Sequence, residues 1–400
     1  VPGGRRLLPA LALLYLGQGL PMGLAFEAVP TLLRAEGASA ARIGLVGLAI
    51  LPWALRFLWA PLVDRWSGGR RAAWLLPSQL LLLLLYAGLA ALPAELPRAG
   101  MALWGAILAS LIAATQNTAT DGLAVLALPR GRMGWANAFQ VGGFSLGMLA
   151  GGGPVLILGA EHGWAWGWLP ALAITLAALP LLLRQGAAHP PVAPRGPIGL
   201  RRFLARPGAA AMLLVAATFY FGRAFVGDLI GPVLLDSGLG VSFIGVTRIA
   251  STGAMAFGAV ALGGWLVTRF GAGRVGPVAG VLWAASLGAW ALLARPGLMP
   301  AEAILLSVAD GLAGGVTYAA FLTLFMRWAS ARQGGTDVTI LMCAESVSNI
   351  LATLLGALVA SLIGLSATFG LAALLMLGAM ARSRIAIPQI KTEDSPYAHR

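Results

Sequence analysis

Eight ionisable residues stand where hydrocarbon is expected. Glu27, Arg56, Asp121, Arg223, Asp228, Arg248, Asp310 and Glu345 each interrupt a run of Leu, Ala, Val and Gly. A charge at mid-bilayer costs at least about 2.5 kcal/mol on insertion scales, so each needs a counter-charge, a hydrogen-bond partner or a watery cavity. Carboxylates so placed can exchange protons or meet a ligand, and arginines can hold an anion. Asp121 has the densest polar surroundings, beside Thr115, Gln116 and Asn117. Arg223 requires an anion. Asp228 is five residues on and partly off its face, which leaves Glu345 as the other candidate. Arg56 suits an architectural pairing with Asp121 or a helix C-terminus. Glu27 and Asp310 suit a proton site or a ligand contact, or else an outer rim that meets water. The rings of Tyr15, Phe26, Phe139, Tyr220, Phe221 and Tyr318 could face a cavity, whereas Trp164, Trp166 and Trp168 read as an interfacial belt. His162, His189 and His399 fall in expected loops or the tail, and Cys343 is the one cysteine. No disulfide, metal site or cofactor is expected.

These residues must be positioned by membrane helices. Of 400 residues, 59% are hydrophobic and 10% charged, against roughly 25% charged in a soluble domain. Twelve apolar runs lie at 8–33, 43–64, 72–92, 100–128, 134–158, 164–183, 208–234, 243–268, 274–294, 302–326, 335–361 and 363–381, numbered here as spans 1 to 12. Each is long enough to cross the roughly 30 Å hydrocarbon layer. The first does not read as a cleaved signal, because Gln18, Pro21 and Glu27 interrupt it and further spans follow at once. The formal charge of +13 sits in the short gaps between runs, which argues for the lipid bilayer as partner and against nucleic acid. With the N-terminus inside, the outer gaps hold only Arg34, Arg42, Arg98 and Arg295, so both termini are expected in the cytoplasm. The stretch 185–207, rich in Pro, Gly and Arg, reads as a cytoplasmic linker between bundles at 1–184 and 208–383, with a tail at 384–400. Leu62-Val63-Asp64-Arg65-Trp66 and Leu266-Val267-Thr268-Arg269-Phe270, closing spans 2 and 8, form a weak internal echo.

The stretch Ala60-Pro61-Leu62-Val63-Asp64-Arg65-Trp66-Ser67-Gly68-Gly69-Arg70-Arg71 resembles the signature loop between helices 2 and 3 of the major facilitator superfamily, although Ala60-Pro61 replaces its usual glycine. The resemblance implies an all-α membrane protein of twelve helices in two six-helix bundles. It also implies a gate or latch role for Asp64, Arg65, Arg70 and Arg71. Gly19-Leu20-Pro21, Arg56 through Arg65, and Ala114-Thr115-Gln116-Asn117-Thr118-Ala119-Thr120-Asp121-Gly122 are similar to the branch of muropeptide, acetyl-CoA and siderophore transporters, as is Gly335-Thr336-Asp337 after Met326-Arg327. Arg327 and Asp337 are expected at the gate, with Thr336 and Asp337 capping the helix that follows.

Spans 1, 4, 7 and 10 line the central cavity in that superfamily, which puts Glu27, Gln116, Asn117, Asp121, Arg223, Asp228 and Asp310 on the expected substrate or proton path; Arg56 of span 2, part of the family motif, and Glu345 of span 11, which packs near the lining, join them. The expected activity is secondary active import across a bacterial inner membrane by a monomer, since no phosphate-binding loop occurs and Lys391 is the sole lysine; no enzymatic reaction is expected, since no histidine falls in a span and no paired-aspartate signature occurs. Protons are the expected coupling ion, and a siderophore or its iron complex the expected cargo. The alternatives are a muropeptide and small-molecule efflux. A sugar-lined site calls for a denser set of Asn, Gln and Glu than the cavity spans hold, which counts modestly against a muropeptide.

Overall fold

The computed structural model describes residues 3–37, 39, 45–66, 72–93, 95–185, 198–239, 241–293 and 297–387. Arg42, His189, Arg295, Lys391, His399 and the expected latch residues Arg70 and Arg71 lie outside them, as does linker stretch 186–197. Among the described residues every regular element is helical. Among these residues nine helices are long and apolar enough to cross a bilayer, and three shorter apolar ones cover Leu45–Leu58, Leu169–Leu183 and Ala209–Ala224. Together they fall one to one on the expected spans.

The short helices mark where the chain breaks its own ladder. Span 2 is a relay of Leu45–Ile50, Leu51–Leu55, Arg56–Leu58 and Ala60–Trp66. Pro52 and Pro61 cause this, since each lacks an N–H and crowds the carbonyl four residues back. Span 7 is likewise divided into Ala209–Thr218, Phe221–Ala224, Gly227–Leu229 and Ile230–Asp236. Gly222, Gly227, Gly231 and Pro232 weaken helix there. Span 5 breaks at Gly152 and runs on to His162, so that histidine ends a helix rather than lying in a loop. Spans 11 and 12 part at Gly364, whose φ of 82° suits a glycine.

Two compact units divide the chain. One comprises Val1–Pro129, Gly143–Leu200 and Ala329–Thr339; the other comprises Arg130–Gly142, Arg201–Trp328 and Ile340–Arg400. The first buries Leu20, Leu24, Val29, Leu82, Tyr86, Leu103 and Trp168 together. Its spans 1 and 5 meet backbone to backbone, because a Cβ on Gly19 would strike the Phe144 carbonyl and one on Gly147 the Leu16 carbonyl. In the second, Gly311 and Gly315 let span 10 lie against the carbonyls of Ser251 and Met255 on span 8. Small residues at helical spacing are what permits such contact where no hydrophobic force separates helix from lipid.

Two aromatic expectations change. Trp166 is exposed, but Trp168 is buried and stacks on Tyr86 at 6.3 Å, and Trp164 donates its Nε1–H to the Leu89 carbonyl at 2.6 Å. The tryptophans mostly close the first unit rather than form a belt.

Candidate functional site

Span 4 is an unbroken helix, Arg98–Ala127, so residues 116 and 120 share one face and 117 and 121 the adjoining one. Span 1 meets them with Tyr15 and Gln18. Tyr15 Oη donates to Asp121 Oδ1 at 3.0 Å. Gln18 Nε2 donates to Gln116 Oε1 at 3.2 Å and Thr120 Oγ1 at 3.1 Å, while its Oε1 accepts from Asn117 Nδ2 at 2.9 Å. Gln116 Nε2 continues to Gln79 Oε1 at 2.7 Å, and Gln79 Nε2 to the Thr175 carbonyl at 2.7 Å. Four spans (1, 3, 4 and 6) are thereby joined by one buried chain of amides. A satisfied network of this kind rigidifies and specifies its surroundings.

Arg56 enters the same network. Its Nη1 donates to Asn117 Oδ1, and its guanidinium lies 5.1 Å from the Trp53 ring centre. Asn117 lies a turn before Asp121 on span 4, so the guanidinium attracts the Asp121 carboxylate while its hydrogen bond goes to Asn117, and Asp121 accepts from the Tyr15 hydroxyl. Trp59 Nε1 donates to Thr115 Oγ1 at 3.1 Å. Gln116, Asn117 and Asp121 are all buried here.

The second unit gathers the other charges around aromatic rings. Arg223 Nε bridges both oxygens of Asp310 at 3.0 and 3.1 Å, and Trp283 Nε1 donates to Asp310 Oδ1 at 2.8 Å. Asp310 is therefore a counter-charge of Arg223 that is not named from the sequence, since span 10 faces this stretch of span 7. Glu345 accepts from Tyr318 Oη at 2.6 Å. Asp228 falls on the turn Gly227–Leu229, and its side chain lies outside the described residues. Tyr220, one turn before Arg223, lies 5.6 Å from Trp283 and 5.2 Å from Tyr318, centre to centre. Phe219 backs the group, stacking on Phe321 at 4.8 Å. Gly314 seats the Trp283 ring, because a Cβ there would come within 2.7 Å of it. That places the indole N–H opposite Asp310, one turn earlier on span 10.

Asp64 is buried in the first unit, and its Oδ2 accepts from Thr336 N at 2.7 Å and Thr336 Oγ1 at 2.8 Å. Span 11 begins at Gly334, so Thr336 N is one of its unpaired first-turn donors. The helix is thus capped by Asp64 from 272 residues away, correcting the local cap expected from Thr336 and Asp337. Asp337 lies inside the helix and accepts from Ser330 N at 2.8 Å and Gln333 Nε2 at 2.6 Å, fixing the preceding turn. Arg65 is exposed and Arg327 half-buried. Glu27 lies on a π-helical turn, Leu24–Ala28, with its carboxylate packed over Gly152 at the break in span 5.

The charge search misses Gln18, Gln79 and Trp283. The first two were visible as amides inside apolar runs of spans 1 and 3, and neutrality hid them. Trp283 carried no signal that separates it from other core indoles.

Residues 8–94 match the family described as Acetyl-coenzyme A transporter 1. The anhydromuropeptide permease of Escherichia coli is 30% identical over 367 residues, which cover 85% of this chain and 71% of that one. A protein of Haemophilus influenzae is 26% identical, with 84% of each chain covered. Among solved structures, the human organic anion transporter MFSD10 matches at a TM-score of 0.75 and 18% identity, covering 96% of this chain and all of that one. The Escherichia coli fucose:proton symporter matches at 0.70 and 13%, covering 95% and 98%. The structures establish the fold, and the permease establishes kinship. The chain is a multi-pass secondary transporter that belongs to the major facilitator superfamily, in the branch of the anhydromuropeptide permease and the acetyl-CoA transporter.

Proposed function

We propose that this protein imports anhydromuropeptide-class cell-wall fragments across the bacterial inner membrane, coupled to protons, as a monomer with both termini in the cytoplasm. The supporting observation is kinship with a permease of that cargo over most of both chains. The siderophore expectation rested on short motifs and chain length, and the relative with a named cargo favours the muropeptide alternative. The chemistry no longer counts against a sugar, since Gln18, Gln79, Gln116 and Asn117 gather in one network. Glu27, Asp121, Asp310 and Glu345 supply the membrane carboxylates that a proton route needs. Alternating access about a central site is the mode for such two-bundle carriers. The Asp64 cap on span 11, with Arg65, Arg327 and Asp337, is the latch in this reading, and the family resemblance adds Arg70 and Arg71 to it.

The test is expression in bacteria deprived of their own muropeptide permease, which lose cell-wall fragments to the medium. The chain should restore their retention. Continued loss, with uptake of a ferric siderophore gained instead, would return the cargo to the siderophore class.

A further inference from the structure

A cavity of about 290 Å³ lies in the first unit between the ends of spans 1, 5 and 6. An apolar cavity of about 150 Å³ is already enough to stay dry and take up benzene. Leu32, Val155, Leu156, Trp164 and Trp168 give this one apolar walls, while Thr31 and Ala160, which also line it, are exposed. It is therefore open rather than sealed. Against the Trp164 wall stands a cation, the Arg98 guanidinium, 5.4 Å from the ring centre. We propose that the cavity takes one acyl chain of an anionic phospholipid, with the lipid phosphate held by Arg98. This goes beyond the transport reading and does not depend on which cargo is carried.

Arg98 Nε and Nη2 both donate to the Leu92 carbonyl, at 3.2 and 2.9 Å, which fixes the guanidinium on the indole. Its Nη1 has no acceptor among the described residues, and no acid there forms an ion pair with it. Glu36, the acid at this end of span 1, accepts instead from the Ala99 N–H at 3.0 Å. Two Nη1 protons are thus left for a phosphate, an anion that the guanidinium fork matches. Trp168 is buried, and its Nε1–H has no acceptor among the described residues; the hydroxyl of Tyr86, which stacks on it, also lacks a partner there. A buried donor without an acceptor is costly, and a ligand oxygen relieves it. In a phospholipid the ester carbonyl lies just inside the phosphate, as Trp168 lies one helical turn inside Trp164. Span 3 separates the Asp64 end of the unit from the Leu92 end. The cavity belongs to the latter, at the level where headgroups meet hydrocarbon and indoles collect. A free phosphate leaves the apolar walls unfilled, and a neutral lipid leaves Arg98 without an anion.

The experiment is photocrosslinking of the full chain in phosphatidylcholine nanodiscs doped with a phosphatidylglycerol that carries a diazirine in its acyl chain. Adducts, mapped by mass spectrometry, should concentrate on Leu32 and on 155–164. Unlabelled phosphatidylglycerol should suppress them at about a tenfold lower mole fraction than phosphatidylethanolamine, as expected for one charge-assisted contact. Arg98→Gln should erase that difference. Gly159→Leu should remove the adducts from a folded chain, since a Cβ there meets only the Gly167 Cα, at 3.8 Å, and the rest of the side chain enters the cavity. Trp168→Phe keeps a ring and removes the N–H, so both lipids should compete several-fold more weakly with their ratio intact. Adducts spread over the bundle without enrichment at these residues, equal competition by the two lipids, a preference that survives Arg98→Gln, or adducts unchanged in Gly159→Leu would each overturn the site. Suppression by glycerol 3-phosphate as complete as by the lipid would overturn it too, in favour of a free-phosphate site.

Discussion

The amides of spans 1, 3 and 4 and the Arg223–Asp310 pair are each held by named partners, and the cost of removing a partner follows. Gln79 links Gln116 to the Thr175 carbonyl. Gln79→Leu keeps the bulk and strands both, so unfolding in detergent should become easier by about 1–3 kcal/mol; an unchanged melting curve would show that the amide chain carries no stability. Gly314→Ala places a methyl group against the Trp283 ring and should break the indole bond to Asp310. Uptake should fall several-fold while folded yield holds, and wild-type uptake would separate Trp283 from the site. At this scale the sequence displayed the charged residues but not their partners. Helical spacing predicts neighbours three or four residues away, whereas Asp310 is 87 residues from Arg223 and Asp64 is 272 from Thr336.

At the scale of elements, proline and glycine explain both the breaks and the contacts. Pro52 and Pro61 foretell a broken span 2, and the glycines of span 7 its division. The spacing of Gly143, Gly147 and Gly151 could be read as a close-packing face, but its partner, span 1, could not. Gly147→Leu should force spans 1 and 5 apart and abolish folded protein in the membrane. Gly17→Ala, where no neighbour lies within 4 Å, should be tolerated. Size-exclusion profiles of the two variants distinguish a packing requirement from general intolerance of larger residues. Hydropathy located twelve spans because burial in lipid is written in every residue of a run. It did not show that span 5 continues to His162, since hydropathy averages across the Gly152 break.

For the whole molecule, the fold and family were legible and the cargo was not. Cargo depends on a few side chains from separate spans, and their assembly is a tertiary fact. The Asp64 cap bears on function as much as on stability, because a carboxylate on the first turn of span 11 opposes that helix's positive end. Asp64→Asn keeps an acceptor and removes the charge, so transport should slow while folding is retained; full transport would contradict the latch.

The central claim is proton-coupled carriage of a cell-wall fragment, and its most direct test is reconstitution in proteoliposomes with a labelled anhydromuropeptide and an imposed inward proton gradient. The label should accumulate above its outside concentration, and an uncoupler should collapse that accumulation to equilibrium. Uptake no greater than in protein-free vesicles, or accumulation indifferent to the uncoupler, would contradict it.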